Sequence, residues 1–220
     1  MADRPILFSG AMVRALLAGT KTQTRRQIKP RGKRPSLFNG DWSDSYVLDP
    51  GNESWRRQDI SIETGDRLWV KETYALVGDN PHLGDEAQSC FDMRIPVYYR
   101  ADDVQPELSR WRPSIFMKRG YSRLTLTVTD VRVERLQDIS RDDAVAEGLI
   151  QVPTAPALAA KLDSNWGFEG DKRHGSPRSA YAALWNHING AGSWEANPWI
   201  VAYTFSVERG NIDQIGRDVA

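Results

Sequence analysis

A short segment near the start of the chain carries side chains that can act as a base, a nucleophile and anion ligands. It has the sequence KTQTRR at residues 21–26. Lys21 can serve as a general base only if burial or neighbouring cations keep its pKa well below the usual value, and Arg25 and Arg26 are close enough in sequence to contribute. The Thr24 hydroxyl needs such a base before it can attack an acyl carbon. The segment is therefore either a catalytic base with its nucleophile or a solvated basic turn with ordinary strand-forming threonines.

The carboxylates differ in what their positions predict. A helix is predicted to begin at Ser140 and to run through Glu147, so Glu147 lies in the last turn, where the helix dipole opposes an anion. A charge in an unfavourable place is typical of functional sites. Asp142 and Asp143 lie in the first turn and are interpreted as capping residues. Glu72 lies in a predicted buried strand and either faces a pocket or pairs with an arginine.

Several familiar kinds of site are excluded by residue spacing. The histidines His82, His174 and His187 lie far apart and none has a second ligand at zinc spacing, so we expect no metal site and no cofactor. The chain has no glycine-rich phosphate loop after a strand and no GxSxG nucleophile elbow. Cys90 lies in an acidic stretch at 85–92, which raises a thiol pKa and makes a poor nucleophile.

The composition describes a chain that can bury one sizeable core. It has 220 residues, 40% of them hydrophobic, with 29 basic and 29 acidic side chains and a formal net charge of zero. The molecule as a whole therefore does not attract nucleic acid, and any anion binding must be local. A single cysteine is typical of a reducing compartment, so we expect a cytoplasmic protein. No signal-type segment or long apolar run is found, so no membrane partner is expected.

The hydrophobic pattern predicts alternating short strands and helices that would position these side chains. Strands are predicted at 5–9, 22–27, 67–74, 97–100, 122–136 and 199–207, and helices at 11–18, 140–147 and 177–189. In the long strand the apolar parity switches after Asp130, which is typical of a bulge or a bend in a closed sheet. The stretches at about 30–60, 78–114 and 150–175 are interpreted as loop-rich insertions.

Three motifs together resemble the ASCH domain. They are LLAGTKTQTRR at 16–26, GDRLWV at 65–70 and ISRDDAVAEG at 139–148. The longer ASCH proteins of phages and prophages are more similar still, through WRPS at 111–114, SR at 122–123 and WEANPW at 194–199. The resemblance implies an α+β fold of the PUA-like superfamily, a small β-barrel with flanking helices. It implies one such domain over 1–220, with the three insertions given above.

The resemblance also implies an activity. Small bacterial ASCH proteins include N4-acetylcytidine amidohydrolases, which use a lysine, a threonine and a glutamate. Lys21 and Thr24 match the GxKxxT portion of that motif, and Glu147 matches the glutamate of the helix after the long strand. The implied mechanism is that Lys21 deprotonates Thr24, which attacks the acetyl carbonyl, while Glu147 orients Lys21 or handles the proton of the leaving amine.

The expected substrate is a small modified nucleoside, with RNA or single-stranded nucleic acid as a possible partner. Aromatic side chains can stack on a base and guanidinium groups can fork to its edge or to phosphate. The residues expected to bind substrate on these grounds are Arg25, Arg26, Glu72, Arg119, Tyr121 and Arg123, with Trp111 as a further wall residue. The alternative interpretation of Trp111, Arg119, Tyr121 and Arg123 is that the aromatic rings pack in the core and the arginines keep strand edges soluble.

Two other functions stay open on the sequence. The chain can be a reader of RNA or of a modified base without catalysis, using a basic run of Arg25, Arg26, Lys29, Arg31, Lys33 and Arg34 as a phosphate patch. It can also be a phage accessory or assembly factor with a vestigial site. The sequence leaves open the acyl group, the choice between nucleoside, nucleotide and polymer, and the oligomeric state.

Overall fold

A computed structural model describes residues 1–30, 32, 34–76, 97–104, 110–152 and 165–216 of the chain. The chain divides into two compact units. The first consists of Met1–Gly19, Gly65–Thr127 and Ser206–Ala220, and the second of Thr20–Thr64 and Val128–Phe205. His82 and Cys90, and much of the predicted insertion at 78–114, lie outside the described residues.

Strands and helices alternate along the described chain. The strands are β1 (Asp3–Leu7), β2 (Gln23–Gln27), β3 (Arg67–Lys71), β4 (Tyr74–Leu76), β5 (Val97–Tyr99), β6 (Leu124–Arg135), β7 (Ile150–Val152), β8 (Asn165–Phe168), β9 (Asp171–His174) and β10 (Trp199–Arg209). The helices are α1 (Gly10–Leu17), α2 (Asp44–Leu48), α3 (Glu53–Arg56), α4 (Arg141–Ala146) and α5 (Pro177–Asn189). The predicted α+β class is confirmed.

The largest sheet has five strands in the order β1-β3-β6-β10-β2. In the first unit β1 pairs parallel with β3, and β3 pairs antiparallel with β6. In the second unit β2 pairs antiparallel with β10. Within the described residues this order does not close on itself, so no closed barrel is detected. Two smaller sheets pair β4 with β5 and β7 with β8 and β9.

The core of the second unit forms around one face of α5. Ser176 caps this helix by accepting a hydrogen bond from the Ser179 N–H, and Pro177 occupies its first turn, as the sequence predicts. The buried residues of the cluster are Leu136, Ile139, Ala144, Leu149, Trp166, Ala180, Tyr181, Trp185, Ile200 and Ala202. Ile188, which lies in the last turn of the same helix, is 50% exposed.

The structure corrects two of the predicted loops. The 30–60 stretch contains α2, which begins where the Ser43 hydroxyl accepts from the Tyr46 N–H, and α3, which follows after a short 3-10 helix at Pro50–Asn52. The 150–175 stretch contains strands β7, β8 and β9, with Gly170 at a φ of 95° in the turn between the last two. Short elements of this kind have too few residues to show a hydrophobic period in the sequence.

The predicted strand at 67–74 is interrupted at Glu72. The Glu72 backbone N–H donates to the Met117 sulfur at 3.2 Å. Its carboxylate is almost fully buried and accepts two hydrogen bonds from the Arg123 guanidinium, at 2.8 and 3.0 Å. Burial raises the pKa of Glu72, and the charge of Arg123 opposes that increase. Glu72 is therefore the buried partner of Arg123 within the first unit.

None of the helices in the described ranges combines the length and the apolar character that a membrane crossing requires.

Replacement of Arg123 by methionine should destabilise the protein strongly. The substitution leaves the buried Glu72 carboxylate without its bidentate partner, and an uncompensated buried charge costs about 3–5 kcal/mol. The free energy of unfolding, measured by urea denaturation, is expected to fall by about that amount. The double variant Glu72→Met/Arg123→Met removes both charges and should recover most of the loss. Equal destabilisation of the single and double variants would contradict the charge-based explanation.

Candidate active site

The backbone brings the start of β2 to the end of α4. Lys21 and Glu147 form an isolated antiparallel bridge, and the Thr22 N–H donates to the Ala146 carbonyl at 2.9 Å. Helix α4 begins as the sequence predicts, with the Ser140 hydroxyl accepting from the Asp143 N–H. Glu147 is its C-terminal cap residue. The two side chains therefore meet because their backbones are paired.

The Lys21 ammonium is completely buried and donates to three oxygens. The acceptors are the Gln23 carbonyl at 2.8 Å, the Glu147 carbonyl at 2.9 Å and the Glu147 Oε2 at 2.8 Å. The Lys21 side chain is 0% exposed and that of Glu147 is 4% exposed. Three acceptors satisfy the three protons of an ammonium group. This is a desolvated ion pair, in which the penalty for burying the charges is high and the partner is essential.

Burial lowers the pKa of Lys21. Glu147 raises it again, and the charges of Arg26 and Arg25 add to the lowering. The expected contribution of the two arginines to the lysine pKa is thus confirmed in direction. A lysine whose ammonium form is disfavoured by desolvation is a candidate for proton transfer.

Arg25 is held by carboxylates on the same side of β2 as Gln23. Its Nη2 lies 2.7 Å from Glu134 Oε1 and 3.2 Å from Asp143 Oδ2, and its Nη1 lies 3.4 Å from Glu147 Oε1. The Arg25 side chain is 0% exposed, and its Nη1 also donates to the Gln23 side-chain oxygen. Arg25 is therefore a buried part of this network and not an exposed ligand for phosphate.

Asp143 plays a larger part than the sequence predicts. Its backbone N–H makes the expected capping bond, but its carboxylate also accepts from Gln23 Nε2 and Arg132 Nη2, both at 2.9 Å. Burial opposes ionisation, yet hydrogen bonds from Gln23, Arg132 and Ser140 lower the pKa of Asp143 to about 2. Asp143 and Glu147 are four residues apart on one helix face, where like charges destabilise a helix. That spacing is the signal in the sequence that could have indicated a cation bound to both carboxylates.

Tyr181 and Glu134 also belong to the site and were not predicted. The Tyr181 hydroxyl donates to Glu147 Oε1 at 3.4 Å, and Tyr181 is almost fully buried. Burial raises the pKa of Tyr181 well above its usual value, so it stays a hydrogen-bond donor. In the sequence Tyr181 is one apolar position of the predicted helix at 177–189, and no spacing signal distinguishes its hydroxyl.

Thr24 and Arg26 lie on the other face of β2. Side chains alternate along a strand, so these two point away from Gln23 and Arg25. Thr24 is 2% exposed and pairs across the sheet with Tyr203. The charge of Arg26 nevertheless acts on both Lys21 and Glu147. The expected trio is thus only partly assembled: Lys21 contacts Glu147, and Thr24 lies on the face of β2 opposite Arg25, which also binds Glu147.

The remaining predicted substrate ligands lie in the first unit and are engaged there. Arg119 Nη2 contacts Asp3 at 2.6 Å and Asp213 at 2.5 Å. Arg123 binds Glu72 and Asp102, and its guanidinium stacks 3.8 Å from the centre of the Tyr99 ring. The rings of Tyr121 and Tyr74 pack 5.7 Å apart, and Arg100 lies over the Trp111 ring. A substrate role for Arg119, Tyr121, Arg123 and Glu72 stays a prediction.

Among the described residues, no group of three or more His, Cys, Asp or Glu side chains is arranged to hold a metal ion. Glu134, Asp143 and Glu147 instead pair with the cations of Lys21, Arg25 and Arg132.

Replacement of Asp143 by asparagine should weaken the protein in a pH-dependent way. The folded-state pKa of about 2 lies below the usual value of 3.8, so the carboxylate stabilises the fold above about pH 4. This contribution, roughly 2 kcal/mol, disappears as the pH falls from about 4 towards 2. Chemical denaturation at pH 7 and at pH 2.5 should therefore show a large difference between wild type and Asp143→Asn at pH 7 and a small one at pH 2.5.

Asp142→Asn is the matched control, because Asp142 is exposed in the same helix turn. Its effect at pH 7 should be much smaller. An equal loss in both variants would show that helix-dipole charge, and not the side-chain network, is responsible.

Comparison of this chain with protein-family models, with curated proteins and with solved structures finds no match. The function must therefore be argued from the residues and geometry of the site itself.

Proposed function

We propose that the protein is an ASCH-type amidohydrolase that removes an acyl group from the exocyclic amine of an N4-acylated cytidine. The observation that carries the proposal is the buried contact of 2.8 Å between Lys21 Nζ and Glu147 Oε2. These are two of the three residues that the motif resemblance assigns to catalysis. The family assignment and its PUA-like barrel are part of the same proposal.

The chemistry starts from the neutral form of Lys21. Burial lowers the pKa of Lys21, so loss of the proton from its ammonium group costs less here than in water. The resulting neutral amine has a lone pair. That lone pair can accept a proton from a hydroxyl, which an ammonium cannot do.

Thr24 is the proposed nucleophile. Lys21 takes the proton of the Thr24 hydroxyl through one bridging water, since Thr24 and Arg25 lie on opposite faces of β2, as the Thr24 oxygen forms a bond to the acyl carbon. The bond from the acyl carbon to the exocyclic nitrogen then breaks, and the protonated Lys21 returns a proton to that nitrogen. Water hydrolyses the acyl ester, which releases the carboxylic acid and restores the Thr24 hydroxyl. The overall reaction consumes one water and needs no oxidant or reductant.

The arginines have different proposed roles because they lie on different faces of β2. Arg26 shares the face of Thr24 and supplies positive charge where the acyl oxygen becomes negative. Arg25 is surrounded by Glu134, Asp143 and Glu147, so its role is to hold Glu147 in position. Neither role requires a metal ion or a cofactor.

The alternative function, an RNA reader that uses the basic run as a phosphate patch, receives less support. Arg25 is buried against carboxylates, and Arg34 donates to the Gln58 carbonyl and lies 3.9 Å from Asp59. Arg31 and Lys33 lie outside the described residues. Phosphate binding depends on accessible, uncompensated cations, so we place this function second.

The proposed reaction predicts that the protein cleaves N4-acetylcytidine to cytidine and acetate. Chromatography of the reaction mixture measures both products. Thr24→Val keeps the shape of the side chain and removes its hydroxyl, so turnover should fall by roughly 10³-fold or more. Glu147→Gln should lower it by roughly 10²-fold or more because the amide no longer holds the Lys21 side chain in position through an ion pair. Thr22→Val is the matched control: Thr22 is exposed in the same segment, and the variant should keep wild-type turnover.

Thr24→Ser distinguishes loss of the nucleophile from loss of the fold. Serine retains the hydroxyl, so this variant should keep much of the activity that Thr24→Val loses. Thermal unfolding of every variant reports whether it is folded. Full turnover by a folded Thr24→Val would eliminate Thr24 as the nucleophile, and the absence of cleavage by folded wild-type protein would eliminate the substrate class.

A further inference from the structure

A cavity of about 390 Å³ lies in the second unit, between the segment that carries α2 and α3 and the second half of β6. Its apolar lining comes mainly from Ile60, Ile62, Val131 and Val133, and Leu48 lies at its side. The rest of the lining is polar and includes Glu53, Arg56, Arg57 and Glu63. A cavity of this size can hold a small molecule, whose orientation such polar groups fix. None of these residues takes part in the proposed hydrolysis.

The alternation of β6 separates this cavity from the candidate active site. Val131 and Val133 line the cavity. Arg132 and Glu134, which alternate with them, contact Asp143 and Arg25. Successive side chains point to opposite faces of a strand. The cavity and the acid-base network therefore lie on opposite faces of the same strand segment.

Arg56 is the cation that the cavity offers to a ligand. Its Nη1 donates to the Val47 carbonyl at 2.6 Å and to the Asp49 carbonyl at 2.7 Å, at the end of α2. These two bonds fix the position of the guanidinium. Within the described residues Arg56 has no carboxylate partner, and its Nε and Nη2 donors remain for a ligand. A fixed guanidinium with two adjacent donors matches a carboxylate, sulfonate or phosphate group.

The neighbouring Arg57 is different, although it lines the same cavity. Its Nη2 lies 2.6 Å from Glu53 Oε1, and its Nη1 lies 4.0 Å from Glu63 Oε1. Its side chain is 60% exposed. Arg57 is thus held by the two glutamates at the edge of the cavity, whereas Arg56 has no carboxylate within salt-bridge distance among the described residues.

We propose that this cavity binds a small amphipathic anion, a compact apolar or aromatic body that carries one acidic group. The apolar body packs against Ile60, Ile62, Val131 and Val133, and the acidic group binds the Nε and Nη2 of Arg56. This site is independent of the proposed hydrolase activity. The two can therefore fail separately.

A matched pair of fluorescent probes tests the site. 1-Anilinonaphthalene-8-sulfonate has the apolar body with an acidic group, and N-phenyl-1-naphthylamine has the same body without it. Folded wild-type protein should bind the sulfonate at one site per chain and bind the neutral probe more weakly. Arg56→Met should weaken binding of the sulfonate by at least about tenfold and leave the neutral probe unchanged. Arg57→Met, the control on the same cavity edge, should leave sulfonate binding near that of wild type.

Val133→Phe is the second variant, because it fills the cavity from β6 and does not touch Arg56. It should abolish binding of both probes while thermal unfolding and circular dichroism report a native fold. Three results would overturn the proposal: no binding at one site by wild type, equal effects of Arg56→Met and Arg57→Met, or unchanged binding by a folded Val133→Phe. Acetylcytidine cleavage, measured in parallel, has no bearing on any of these outcomes.

Discussion

The structure of the second unit depends on one interaction, the buried ion pair between Lys21 and Glu147. Burying an ammonium and a carboxylate is costly, and the cost is offset only when the pair is close and every remaining donor and acceptor is satisfied. Lys21 meets this requirement with three oxygen acceptors. Glu147 meets it through contacts of its Oε1 with Arg25 and Tyr181, both at 3.4 Å.

The charged side chains around this pair are also paired with groups of opposite charge. Glu134 and Asp143 bind Arg25, and Asp143 also binds Arg132. Removing one member leaves another buried charge exposed to the full desolvation penalty, so the members of such a network act as a unit. Because Arg25 is fully buried and paired with carboxylates, it offers no accessible cation for phosphate.

The sequence predicted most regular elements and part of the site, for identifiable physical reasons. The long elements α5 and β6 were predicted because their apolar period is strong. The short strands β7 to β9 and helices α2 and α3 were missed because they are too short to show one. Lys21 and Glu147 were predicted as site residues, but their contact depends on a backbone bridge between segments more than a hundred residues apart. Tyr181 was missed because the hydrophobic ring was enough to explain its place in the predicted helix.

The most direct test of the account is a pH titration of the Lys21 side chain. Nuclear magnetic resonance of its Nζ and neighbouring methylene group reports its protonation state as the pH is raised. Because burial lowers the pKa of Lys21 and Glu147 raises it, Lys21 should lose its proton below the usual lysine value of about 10.4. In a folded Glu147→Gln variant it should lose the proton at a still lower pH. Titration at the ordinary lysine pKa in both proteins would contradict the central claim that Lys21 is a buried base whose pKa depends on Glu147.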